Sequence, residues 1–258
     1  VLDDTEKLAR RSARVPRYTV RGGGVLVTGH NDSGTQTVVP EIVLESGTLR
    51  IEEGVVLEAG AGLGISVSGT SRIEVVGDVV LRSRISGTGT LVFDAATAEA
   101  RETSSLRWAA SVTGAAHDGN FFEGATDIRL RTMRWVQETR PLEGTDLLLG
   151  VPGAAVTIEL SDVLERMGSV TVRPGTTVRQ RVALPMGLLR FTGSGRWNAS
   201  AGEVIEADRV RVQGVGSLVT LTGDLEVQEE LGTGAEGNVL VHSGALRGTG
   251  TVVKTGVG

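Results

Sequence analysis

The chain contains no cysteine, three histidines, six prolines and, among 258 residues, only four Phe, three Trp and one Tyr. Without cysteine there is no disulfide framework and no thiolate site for zinc or an iron–sulfur cluster, although the compartment stays open. His30, His117 and His242 have no HExxH-like spacing, so zinc hydrolysis lacks its ligands. No uncharged apolar run approaches the ~18 residues of a membrane span, so no membrane insertion by this segment is expected. No signal peptide is visible at Val1. The net charge of −5 speaks against nucleic acid, which calls for a basic surface. The shortage of aromatics also argues against an ordinary β-sandwich, whose core ~10 Å thick normally takes more large rings.

Glycine is abundant, at 37 residues, and stands among short runs of Val, Thr, Leu and Ile. Short β-branched strands punctuated by Gly read as all-β. A narrow core filled by aliphatic side chains fits a solenoid, in which each coil stacks on its neighbour.

Self-similarity supports this reading. In the C-terminal third Leu189, Val210, Leu231 and Val252 recur with a 21-residue period, as do Gly195, Gly216 and Gly237, and Gly202, Gly223 and Gly244. Gly193, Gly214, Ala235 and Gly256 keep the same spacing, and so do Trp197, Leu218 and Val239, and Val204, Leu225 and Leu246. Gly168-Ser-Val-Thr-Val172 matches Gly187-Leu-Leu-Arg-Phe191 at a slightly shorter offset. Nearer the N-terminus, Ser46-Gly-Thr-Leu-Arg-Ile-Glu52 matches Ser68-Gly-Thr-Ser-Arg-Ile-Glu74 at an offset of 22, and Val55–Leu57 matches Val79–Leu81 at 24. Ser86-Gly-Thr-Gly-Thr-Leu-Val-Phe93 opens a third copy. Units of this length built from short strands predict a single-stranded parallel β-helix, a β-solenoid, of roughly ten to twelve coils. Stacking would satisfy the backbone groups above and below each coil.

The stretch Leu246-Arg-Gly-Thr-Gly-Thr-Val-Val-Lys-Thr-Gly-Val-Gly258 resembles the repeat of bacterial autotransporter passenger domains, and Ser86–Phe93 echoes its first half. In that family a Gly-Thr-Gly-Thr-apolar strand is followed by Lys, a small residue and Gly-x-Gly. The resemblance implies a right-handed β-helix, extracellular or on a bacterial cell surface. These residues include neither that family's translocator β-barrel nor an evident autochaperone segment.

The repeat is interrupted twice. Residues 1–17 place Asp3, Asp4 and Glu6 ahead of Lys7, Arg10, Arg11 and Arg14, an order that suits a short N-terminal helix and its dipole. Such a helix would cap the first coil or act as an arm. The solenoid is expected over residues 18–258, with a register-breaking insertion at about 95–152. Strand-like stretches persist there at Leu106–Val112, Asp127–Trp135 and Thr145–Leu149. The insertion holds half of the aromatics, Trp108, Phe121, Phe122 and Trp135, which are the candidate binding residues. Loops that leave a solenoid often carry its binding function, and aromatics offer large contact area. The competing reading of the same residues is a small satellite core under a long loop.

Catalytic chemistry finds little footing. No GxSxG elbow, phosphate loop or calcium-binding repeat is present. Glycoside cleavage needs two carboxylates ~5–9.5 Å apart, and the available pairs are Glu41/Glu45, Glu52/Glu74 and Asp224/Glu226. The repeat would stack Glu52 directly on Glu74.

The sequence thus predicts a non-catalytic extracellular or cell-surface β-solenoid, without cofactor or metal, acting in adhesion or protein binding. Its expected partner is a host or neighbouring-cell protein or a surface glycan. A second reading is a structural subunit that self-associates end to end, and a third is a polysaccharide-acting enzyme.

Overall fold

The computed structural model describes residues 17–28, 37–39, 41–59, 64–83, 85–108, 125–135, 143–161, 165–234 and 236–254. The described strands pair in parallel, and the fold is a parallel β-solenoid. Among the described residues there is no α-helix, only a 3-10 turn at Glu99–Glu102. The expected N-terminal helix falls on residues 1–16, outside the described residues, and Arg17 already opens the strand Arg17–Arg21.

The chain divides into two compact units, Val1–Thr126 with Met133–Pro141, and Asp127–Thr132 with Leu142–Gly258. The first is built from four turns with three strands each. Arg17–Arg21, Glu41–Glu45, Ile65–Ser68 and Ile85–Gly87 stack as one sheet. Val25–Thr28, Thr48–Ile51, Thr70–Val75 and Thr90–Ala95 stack as the second. Thr37–Val39, Val56–Ala59, Asp78–Leu81 and Ser105–Trp108 stack as the third.

The second unit has two sheets. One contains Asp146–Leu149, Met167–Val172, Met186–Phe191, Val204–Val212 and Asp224–Thr233, followed by Leu246–Arg247 and Thr251–Lys254. The other contains Val156–Leu160, Thr176–Gln180, Gly195–Ala199, Leu218–Thr222 and Val239–Ser243. The long strand Val204–Val212 shifts register between Ala207 and Arg209, an irregularity of the kind that bends a strand. Ala125–Ile128 and Thr132–Trp135 form a further pair of strands beyond these. Coil length varies: Ser105 stands on Asp78, 27 residues earlier.

Alternation along each strand sends every second side chain inward. Ile42, Ile65 and Ile85 stack in one inward column, and Leu49, Ile73 and Phe93 in another. In the second unit Val170, Leu189, Val210, Leu231 and Val252 form a column. Ile158, Val178, Trp197, Leu221 and His242 form the next. All of these residues are buried except Val252 and His242, which end the last two columns.

The Gly-Thr-Gly-Thr motif has a local cause. Gly87 (φ +129°) and Gly248 (φ +111°) pass directly over the carbonyls of Val67 and Val227 in the turn below. A Cβ at either place would fall on that carbonyl oxygen. Only glycine permits both the positive φ and the close approach.

Candidate functional site

The last described turn of the second unit is where apolar side chains come to the surface. Leu246 stands on Leu225 in the same inward column, yet Leu225 is 0% exposed and Leu246 is 51% exposed. Val252 stands on Leu231, and exposure rises from 9% to 68%. Val239 and Val241, on the adjoining sheet, are also exposed, but they stand on Leu218 and Thr220 and belong to the outer face. The inward positions of that strand are Leu240 and His242, on the buried Val219 and Leu221. Val239–Ser243, Leu246–Arg247 and Thr251–Lys254 each pair on one side only among the described residues. The turn therefore presents a layer of solenoid core together with a row of backbone donors and acceptors. Such an edge is a template for further strand pairing.

His242 occupies the same layer. It stands on the buried Leu221, and its Nε2 lies 2.9 Å from the carbonyl oxygen of Gly223. The neighbouring charged pair is satisfied within the turn: Asp224 accepts from the Ala245 N–H at 3.0 Å and from Arg247 at 3.3 Å.

The structure places the predicted aromatic residues differently from one another. Trp108 is in the core, 1% exposed, in one inward column with Leu57 and Leu81. Its ring meets Phe93 at a centroid distance of 5.9 Å, and its indole N–H donates to the Ser83 carbonyl at 3.0 Å. It stands on a regular rung, since Ser105–Trp108 pairs with Asp78–Leu81. Phe121 and Phe122 lie outside the described residues, and Trp135 closes the strand Thr132–Trp135.

The carboxylates weighed for glycoside cleavage are engaged by other groups. Register places Arg50, not Glu52, beside Glu74, and Asp94 on its other side. This corrects the stacked Glu52/Glu74 pair. Glu52 instead meets Arg50 on its own strand at 3.0 Å. Glu45 pairs with Arg21 at 2.5 Å, and Glu226 accepts from Gln228 at 2.7 Å.

Around Glu74 the outer face carries a charge ladder that sequence matching did not reveal. Arg72 reaches Asp94 at 3.2 Å and Glu74 at 3.7 Å, and Arg101, from the 3-10 turn, approaches Asp94 at 3.6 Å. Asp94 is 1% exposed and also accepts the N–H of Ala95. Partial burial pushes the Glu74 carboxyl above its ordinary value, Arg72 and Arg50 pull it back, and Asp94 adds to the rise. The ladder sets two carboxylates side by side on adjacent turns, with Arg50 on the far side of Glu74 and Arg72 reaching both acids, an arrangement that neutralises charge across rungs.

No protein-family model, curated protein or solved structure matches the chain.

Proposed function

We propose that this chain is a non-catalytic structural β-solenoid that associates end to end. Its last described turn accepts a further parallel turn from a second copy of the chain. The observation that supports the reading is that the inward columns continue in register through Leu246 and Val252, so the same stacking rule can add a further turn. A parallel turn laid on this layer would cover Leu246 and Val252 and pair the free strand edges, which are the two requirements of coil stacking. The contact is heterologous, and in this reading it repeats into an open rod because a turn stacked along the coil axis does not close on itself.

The opening strand of the solenoid suits such a junction in sequence. Gly22-Gly-Gly-Val-Leu-Val27 and Gly248-Thr-Gly-Thr-Val-Val253 share the Gly-x-Gly spacing and the apolar pair that follows. Laid one on the other, Leu26 would stack on Val252. In this reading the solenoid winds right-handed, the hand that parallel crossover connections favour. The resemblance of Leu246–Gly258 to passenger repeats supports a place outside the cell or on a bacterial surface.

Sedimentation velocity over a concentration series, with electron microscopy of the same samples, tests the proposal. The expected result is a concentration-dependent ladder of rods for the native chain. The double variant Leu246→Glu, Val252→Glu should remain monomeric with an unchanged far-UV spectrum. A native chain that stays monomeric at every concentration would overturn the reading.

A further inference from the structure

The outer face of the second unit's larger sheet holds an arginine, Arg190, that meets no counter-ion among the described residues. Register sets Arg190 directly across from Thr171 on one side and Arg211 on the other. Arg209 lies at one diagonal, beside Leu188, and Arg173 follows the adjoining strand at another. None of the positions around Arg190 on this face is a carboxylate. Each neighbouring arginine has its own acid: Arg173 binds Asp127 at 2.5 and 2.8 Å, Arg209 faces Glu229 at 3.4 Å, and Arg211 faces Glu230 at 3.2 Å. Arg190 has none of these, and its Nε–H is buried without an acceptor. The Nε–H of Arg211 is likewise buried and unbonded.

The backbones of adjacent rungs lie about 4.8 Å apart, so guanidiniums carried side by side on them repel each other. An oxyanion seated between the outer ends of the two side chains relieves that repulsion, accepting from the terminal N–H groups of both guanidiniums. Arginine forks match carboxylate, sulfate and phosphate oxygens in this way. The hydroxyl of Thr171 flanks the position and can donate to a remaining oxygen.

We propose that Arg190 and Arg211 form an oxyanion-binding site on the outer face of the solenoid, taking a sulfate, phosphate or carboxylate group. The anion can be a free ion or a substituent of an acidic glycan. The site lies on a side face and is independent of end-to-end association.

Isothermal titration of the whole chain tests this with two probes, inorganic sulfate and a heparin-derived tetrasaccharide, each at low and moderate salt. Binding of either probe that weakens at least tenfold in Arg190→Met supports the site. Preference for the tetrasaccharide identifies a glycan substituent, and equal or better binding of sulfate identifies a free ion. Arg196→Met, which removes an exposed arginine from the other sheet, should leave binding unchanged. The proposal is overturned if neither probe binds, if Arg190→Met binds like the native chain, or if Arg196→Met weakens binding as much as Arg190→Met. Arg190→Lys keeps the charge but loses the fork, and should recover only part of the affinity.

Discussion

Trp197 donates its indole N–H to the side-chain carbonyl of Gln180 across 2.7 Å, and both residues are fully buried. The amide nitrogen of Gln180 donates in turn to the carbonyls of Val182 at 2.9 Å and Val204 at 3.0 Å. A polar side chain thus sits in an otherwise aliphatic column, between Leu160 and Ala199. It is tolerated because its amide is bonded on both the donor and the acceptor side.

Gln180→Leu should therefore destabilise the protein although it makes the core more apolar. It strands the indole N–H and two backbone carbonyls, at about 1–3 kcal/mol for each group left without a partner. The expected total is about 3 kcal/mol, read as a lower urea midpoint. Adding Trp197→Phe removes the stranded indole donor and should cost less than the sum of the two single changes. Strict additivity would show that the hydrogen bond contributes nothing.

The glycine of the Gly-Thr-Gly-Thr motif gives a second prediction. Gly87→Ala places a methyl group on the Val67 carbonyl at a positive φ, and should cost at least about 2 kcal/mol. Gly153 also has a positive φ, at +74°, but nothing lies within 4 Å of its missing Cβ. Gly153→Ala should cost about 1 kcal/mol, the backbone strain alone. Equal losses in thermal unfolding would mean that contact with the turn below is unimportant.

These positions also show what could be read in the sequence. The column Leu189, Val210, Leu231 and Val252 follows the observed register at every step. Pairing of Val56–Leu57 with Val80–Leu81 and of Ser169–Val172 with Leu188–Phe191 also agrees with the matched segments. The match of Ser46–Glu52 to Ser68–Glu74 does not, because Leu49 pairs with Ile73 and Arg50 with Glu74. The error is two residues, the one shift that leaves every side chain on its own face. Aliphatic alternation cannot detect it, and turn length decides the pairing. Trp197 is displaced by three residues, standing beside Leu221 and not Leu218, an odd shift that leaves Leu218 on the outer face. The charge ladder around Glu74 and the unpaired Arg190 follow from true register, so matching by repeat could not show them. Trp108 falls in the stretch where the repeat is no longer visible in the sequence, yet its rung is regular.

Asp127 offers a third test. It is 3% exposed and is held by Arg173 through both oxygens and by Arg129 at 2.8 and 3.1 Å. Those arginine side chains are only 17% and 20% exposed. Asp127→Asn keeps the shape and leaves two half-buried guanidiniums facing a neutral amide. The expected loss is about 3 kcal/mol, as for breaking one side of a buried ion pair. Adding Arg173→Met should return part of it, because one unpaired charge is removed along with its desolvation cost. If the double variant is less stable than Asp127→Asn, the packing of the Arg173 stem outweighs its charge.

Glu74 makes a prediction in pH. Its carboxyl is held above the ordinary 4.5, first by burial and then by Asp94, against the pull of Arg72 and Arg50. A carboxyl raised in the folded state binds its proton more tightly there than in the unfolded chain. Between 4.5 and the raised value the folded protein therefore carries more protons, and stability falls as pH rises. Above that window the ionised carboxylate imposes its full cost, and below 4.5 the cost is absent. Glu74→Gln resembles the protonated form at every pH. Its stability relative to the native chain should rise between pH 4.5 and 7, by an amount limited by solvent screening at this partly exposed site. Paired thermal melts across that range measure the difference. A difference that stays flat, or that shrinks toward pH 7, would show that Arg72 and Arg50 outweigh burial and that the ladder favours the ionised carboxylate.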